Sequence, residues 1–205
     1  MKLHTSIGPN PRVVKMFLAE KGLDVARVEV DLRGGENRRP PYNESVNRAG
    51  QTPALELDGG GFVTEITAIC EYLEEVQPTP PLIGATPQQR AETRMWTRRV
   101  DLKICEPMAN GFRFAEGLPL FESRMRCLPE AAPGLKTLAK DGLTWLEGEF
   151  KGPWIAGDRF TLADILLFSF LDFGAVVGQP LDPANGKLTG WFDRVKARPS
   201  AAASA

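Results

Sequence analysis

Glu65, Ile66 and Thr67 open a helical pattern, and the chemistry available at such a position is the holding of an anion. Free N–H groups and the positive end of a helix dipole favour a carboxylate there. A second helical pattern begins near Pro11–Arg12 and aims the same potential at the loop Ile7–Asn10. Proline is well tolerated in that first turn. Ser6 can donate to a group at this loop through its hydroxyl, and Asn10 through its amide. Thr161 and Asp164 stand three apart ahead of an apolar run, the spacing of a capping box, and their role is folding. His4 is the single histidine, so chemistry that needs two, including a His-x-x-x-His metal pair, is excluded. His4 itself reads as a packed strand residue. Cys70, Cys105 and Cys127 show no C-x-x-C spacing, which suggests neither zinc nor a dithiol redox pair. Each reads as a small buried hydrophobe, and no metal is expected.

The elements that position these residues belong to an ordinary globular chain. Its 205 residues are 42% hydrophobic and 25% charged, which excludes a disordered segment. Three cysteines exclude a disulfide scaffold. A net charge of -1 gives no basic surplus for nucleic acid. The start, MKLHTSIGPNP, lacks the apolar core of a signal peptide. The longest apolar stretch, Ile165 to Val177, is too short for a bilayer, which needs ~20 residues. The expectation is a reduced, cytoplasmic protein with no membrane contact.

Residues 2–6 read as a short strand, residues 12–22 as a helix ending at Gly22, and Val25–Leu32 as a half-buried alternating strand. A β-α-β start favours a parallel pair with a right-handed crossover. Residues 34–47 read as loop or short helix. Thr52–Asp58 then forms a hairpin to Phe62–Val63 across Gly59, Gly60 and Gly61, and Glu65–Glu75 forms a helix. A linker rich in proline follows at 77–86. Beyond it only helical spacing persists, in about five helices, with Pro107 kinking or ending the first. The expected architecture is α/β plus all-α: β-α-β-β-β-α over 1–76, the linker, and an all-helical domain over 87–205.

Four segments, in order over nearly the whole chain, resemble glutathione transferases: MKLHTSIGPNPRVVKMFLAEKGL, AGQTPALELDGGGFVTEITAICEYLEE, WTRRVDL and WIAGDRFTLADILLFSFL. Gly-Pro-x-Pro and Glu-x-Thr-Ala-Ile are similar to a microbial subgroup, related to a fungal transferase, that lacks the usual catalytic Tyr, Ser or Cys. The resemblance implies a thioredoxin-like first domain that binds glutathione as co-substrate. It implies a helical second domain that binds a hydrophobic electrophile, and a homodimer. Pro53 would be cis and would turn the Thr52 backbone toward glutathione, an extended peptide that can pair as an added strand. Glu65, Ile66 and Thr67 would hold the γ-glutamyl end. Arg38, Arg39 and Gln51 stand where relatives place partners of the glycine carboxylate, and the two arginines stay open as alternatives, or as a solvated charge run.

The thiol activator is where this chain departs from its relatives. Gly8 and Pro9 occupy the place of an activating Ser or Cys, and His4, Thr5 and Ser6 the strand end that carries Tyr elsewhere. The stretch PMANGFRFAEG has Ala109, Arg113 and Phe114 where the fungal relative has a water-holding Ser and His. Ser6, Asn10 and Arg113 are therefore the catalytic candidates, and Arg113 is open to lining the substrate pocket instead. Pro9, Asn110 and Phe114 are the implied electrophile contacts. The alternative functions are a glutathione-dependent isomerase or dehalogenase, or a non-catalytic glutathione-binding scaffold.

Overall fold

Leu3 and Thr5 are fully buried while Lys2 is exposed and His4 only partly covered, the alternation of a strand with one packed face. The computed structural model describes every residue from Met1 to Ala205. The chain divides into two compact units, Met1–Pro80 with Pro199–Ala205, and Pro81–Arg198. In the first, β1 (Lys2–Thr5), α1 (Pro9–Lys21), β2 (Ala26–Glu29), β3 (Ala54–Glu56), β4 (Phe62–Thr64) and α2 (Ile66–Val76) follow in order. The sheet order is β2-β1-β3-β4. β1 and β2 run parallel with Leu3 opposite Arg27, and the β1–β3 and β3–β4 pairs are antiparallel. This is the expected thioredoxin-like arrangement.

α1 buries Val13, Val14, Met16, Phe17 and Leu18. It ends at Gly22, whose φ of 63° is the left-handed cap that an unbranched backbone allows. At its last residue Lys21 is buried, pairs with Glu74 of α2 and donates to the Pro80 carbonyl. α2 buries Ile69, Cys70 and Leu73 on one face. β2 departs from expectation: all four of its residues are exposed, and Val28 retains 37% of its surface. It is an edge strand, and Val25 and Val30, just outside it, carry the burial that the alternation assigned to the strand itself. Between β2 and β3 lie a 3-10 turn, Glu36–Arg38, and a π turn, Tyr42–Val46.

The second unit contains α3 (Pro87–Val100), α4 (Glu106–Arg113), α5 (Leu118–Phe121), α6 (Ala132–Glu149), α7 (Leu162–Val176) and α8 (Gly186–Lys196). Pro107 does not end the first helical run. A π turn over Asp101–Cys105 carries the chain from α3 into α4 with helical backbone throughout, and Pro107 follows directly after it. α7 is buried nearly all round, from Leu162 to Leu171. No helix is long and apolar enough to cross a membrane.

The capping box is present at Thr161 and Asp164. The buried Asp164 carboxylate accepts the Thr161 N–H at 2.9 Å and the Thr161 hydroxyl at 3.1 Å. Thr161→Ala is expected to cost about 0.5–2 kcal/mol, measured as a shift in denaturant midpoint, with glutathione affinity unchanged.

The short helix α9 (Pro199–Ala203) belongs to the first unit, although the sequence pattern placed it with the helical part. Arg12 donates to the Ala201 carbonyl at 3.3 Å, and Ser200 bonds to Glu20, so the segment is tied to both ends of α1. Helical periodicity carries no information about which unit such a segment joins.

Candidate functional site

The turn before β3 is built by side chains of the 36–47 segment. Tyr42 is buried, and its hydroxyl donates to the Gln51 carbonyl at 2.7 Å; Asn47 Nδ2 donates to the same oxygen at 2.9 Å. Asn37 Nδ2, also buried, donates to the Gly50 carbonyl at 2.6 Å. These bonds fix Gln51 and Thr52 ahead of the Thr52–Pro53 peptide, which is cis. Burial first, then Glu36, pushes the Tyr42 phenol up to about 12, so it remains a donor through neutral pH. Tyr42→Phe should cost about 1 kcal/mol of stability, read as a shift in denaturant midpoint.

Tyr42, Asn37 and Asn47 are absent from the expected site residues. Their signal was the density of asparagines in a segment read as loop, since Asn side chains commonly bond to backbone in turns.

Arg38 and Arg39 go different ways. Arg38 Nη1 donates to the Ala49 carbonyl at 3.2 Å, and its chain lies against Gly50, where φ is 59° and a Cβ would meet Arg38 Cδ at 2.9 Å. Arg39 instead donates to the Gly34 carbonyl at 2.8 Å. Of the two, Arg38 is the one that lies against the 49–50 backbone leading into Gln51. Gln51 is exposed and Thr52 half-buried.

α2 begins without a side-chain cap and without an acid in its first turn. The N–H groups of Ile66, Thr67 and Ala68 precede the first intrahelical donor, Ile69, which bonds the Glu65 carbonyl at 2.9 Å. Ile66 is half-buried and Thr67 exposed. Glu65 occupies the cap position at φ 70°, ψ 125°, the one residue other than glycine with positive φ. Such a conformation costs about 1–3 kcal/mol and collects at ligand sites.

The N-terminus of α1 is less open than expected. The helix starts at Pro9, with Gly8 as cap at φ 115°. Pro9 and Pro11 have no N–H, and the Arg12 N–H donates to the Gly8 carbonyl at 3.3 Å. Asn10 therefore supplies the one backbone N–H among the first three helical positions. Ser6 is buried; its hydroxyl donates to the Ile7 carbonyl at 3.1 Å and lies 2.6 Å from Thr52 Oγ1. A hydroxyl with one proton, shared in this way, braces the end of β1 against the Thr52–Pro53 turn. His4 lies 3.1 Å from Glu56 and packs edge-on to Phe62. Its bond is the leading cause holding the Glu56 carboxyl below its ordinary range.

In the helical unit, Glu106, Asn110 and Arg113 lie along one side of α4. Asn110 Nδ2 donates to Glu106 at 2.8 Å, and Asn110 Oδ1 accepts from Arg113 Nη1 at 2.9 Å. Phe114 caps that helix, half-buried, and Ala109 is buried. Burial pushes the thiols of Cys70 and Cys105 well up. No group of three or more His, Cys, Asp or Glu side chains is placed to hold a metal.

Residues 7–76 match the family described as "Glutathione S-transferase, N-terminal domain", and residues 120–199 match "Glutathione S-transferase, C-terminal domain". The chain is 32% identical to "Glutathione S-transferase 2" of Saccharomyces cerevisiae, over 96% of this chain and 85% of that protein. It is 34% identical to "Maleylacetoacetate isomerase" of Pseudomonas aeruginosa, over 82% of this chain and 78% of that protein. Its structure superposes on that of Gtt2 from Saccharomyces cerevisiae with a TM-score of 0.92, 31% identity and full coverage of both chains.

Proposed function

The chain belongs to the glutathione S-transferase family, and on that premise we propose that it binds glutathione on its thioredoxin-like unit and activates the thiol for attack on an electrophile. The observation that carries this reading is the uncapped N-terminus of α2 behind the strained Glu65. Its free N–H groups suit the γ-glutamyl carboxylate, and the Glu65 carboxylate suits the neighbouring ammonium. The Thr52 backbone, set by the cis Pro53, pairs with the cysteinyl part of the tripeptide. Arg38 and Gln51 then take the glycine carboxylate, whereas Arg39 is engaged at Gly34.

The thiol arrives at the α1 N-terminus, where the Asn10 backbone N–H and amide replace the missing Tyr, Ser or Cys. A thiolate accepting from that donor at a helix N-terminus falls below the ordinary thiol pKa of about 8.5. Pro9 lines the same loop, while Asn110 and Phe114 supply electrophile contacts from the helical unit. The protein works in the reduced cytoplasm, in keeping with three free cysteines, and uses no metal. It forms a homodimer, for which exposed Met95 and Leu102 beside Arg98 and Arg99 offer an apolar, basic stripe.

The thiolate absorbance of bound glutathione against pH tests the reading. A bound thiol pKa at least one unit below the free value is expected, and Asn10→Ala should raise it. Binding with an unshifted thiol pKa would overturn catalysis and leave a glutathione-binding scaffold. Absence of binding would overturn both.

A further inference from the structure

Glu106, Asn110 and Arg113 recur at helical spacing on α4, and their bonds run in one direction. Asn110 donates to Glu106, which turns its amide oxygen toward Arg113, and that oxygen takes Arg113 Nη1 at 2.9 Å. The guanidinium also lies 5.8 Å from the Phe121 ring centre. Phe121 packs edge-on to Phe112 at 6.1 Å, and Phe112 packs edge-on to Phe173 at 5.0 Å. One nitrogen and one face of the guanidinium are thus held by the protein, and the side chain keeps 22% of its surface.

The polar contacts of Arg113 use Nη1. Its Nε–Nη2 edge remains, with two parallel N–H groups at the spacing of a carboxylate. Two acids stand on neighbouring positions. Glu106 lies 3.9 Å from Nη1, on the edge already used, and it is more than half exposed. Glu116 is paired with Lys136. What remains is a held cation with a free donor edge, against Phe121, the first of three phenylalanine rings packed in series.

We propose, resting on the transferase reading, that Arg113 is a specificity-determining residue and that the electrophile it selects is a flat aromatic or conjugated compound bearing a carboxylate. The carboxylate takes the Nε–Nη2 edge and the flat body packs along the phenylalanine cluster. Arg113 acts on the electrophile and leaves the glutathione thiol unaffected. Because the guanidinium is already oriented, little ordering entropy opposes the contact.

The matched probes are 4-chloro-3-nitrobenzoate and its uncharged amide, 4-chloro-3-nitrobenzamide. In both, the glutathione sulfur bonds to the ring carbon carrying chlorine, chloride leaves with the bonding electrons, and the thiol proton goes to solvent. After correction for the uncatalysed rates, the wild type should favour the benzoate in kcat/KM. Arg113→Gln should lose roughly tenfold to a hundredfold with the benzoate and change about twofold or less with the amide. Arg113→Lys should recover part of the loss, and the bound thiol pKa should not move.

Equal losses with both probes, or a raised thiol pKa in Arg113→Gln, would overturn the assignment. Equilibrium dialysis of each probe without glutathione separates the two readings. Preference for the benzoate without conjugation of either probe leaves the ligand class standing and removes the transferase. Conjugation of both with no preference does the reverse.

Discussion

Glu65→Gly is expected to raise folding stability by about 1 kcal/mol while weakening glutathione binding at least tenfold. The two effects have opposite signs because Glu65 does two different things. Its backbone sits at φ 70°, where a Cβ is strained and glycine is not. Its side chain makes no cap bond to α2, so the helix loses only the small interaction of the carboxylate with its dipole, less than the strain released. What is lost, on the proposed reading, is the charge that takes the glutathione ammonium, worth about 1.5–3 kcal/mol for a hydrogen bond to a charged partner. Glu65→Gln keeps the strain and the reach but not the charge, and should lose affinity with no gain in stability. Thermal unfolding and calorimetric titration of the two variants check the pair. A loss of stability in Glu65→Gly would show that the conformation is not strained, and unchanged affinity would remove Glu65 from the site.

The largest stability effect is expected at Asp164. Its Oδ1 accepts the Ile155 N–H at 2.9 Å and Trp191 Nε1 at 2.8 Å, in addition to the Thr161 donors on Oδ2. One carboxylate therefore joins the start of α7, the turn at Ile155 and α8. Asp164→Ala leaves buried N–H groups on all three without a partner, at a cost of about 3–5 kcal/mol by urea unfolding.

Burial also pushes the Asp164 carboxyl up to about 6, against the pull of its four donors. An acid raised in the folded state binds its proton there more tightly than in the unfolded chain. Its contribution to stability is greatest below about pH 4, falls as pH rises to about 6, and is level above. The stability difference between the wild type and Asp164→Asn should shrink by roughly 2–3 kcal/mol across that window. A difference that grows with pH would mean the donors outweigh burial.

Those two positions mark what could be read from the chain. The start of α2 after Glu65 and the capping box were legible because a helix start is written in a few adjacent residues. The β1-α1-β2 unit and the hairpin were legible through side-chain periodicity, interrupted by glycines whose backbone angles suit turns. β2 was misjudged because alternation reports a two-faced strand and does not say whether either face is covered. Of the two outcomes expected at Pro107, an end to the helix is absent, because a π turn directly before the proline keeps the chain helical, and such a turn leaves no marker in the residues. Arg38 and Arg39 could not be separated by adjacency. What separates them is the backbone each guanidinium bonds, Ala49 for Arg38 and Gly34 for Arg39. The contact of the Ser6 hydroxyl with Thr52, 46 positions away, was likewise invisible in the local sequence.

The tie between α1 and residues 199–205 has a consequence for synthesis. Arg12 and Glu20 receive their partners at Ala201 and Ser200 only after all of Pro81–Arg198 has left the ribosome. Ser200, Ala201 and Ser204 are buried, so the α1 surface they cover lies open to water on any nascent chain that stops short of them. The first unit is the first to emerge and the last to be closed. A ribosome stalled just after Arg198 has emerged would display the whole helical unit while α1 still lacks its cover.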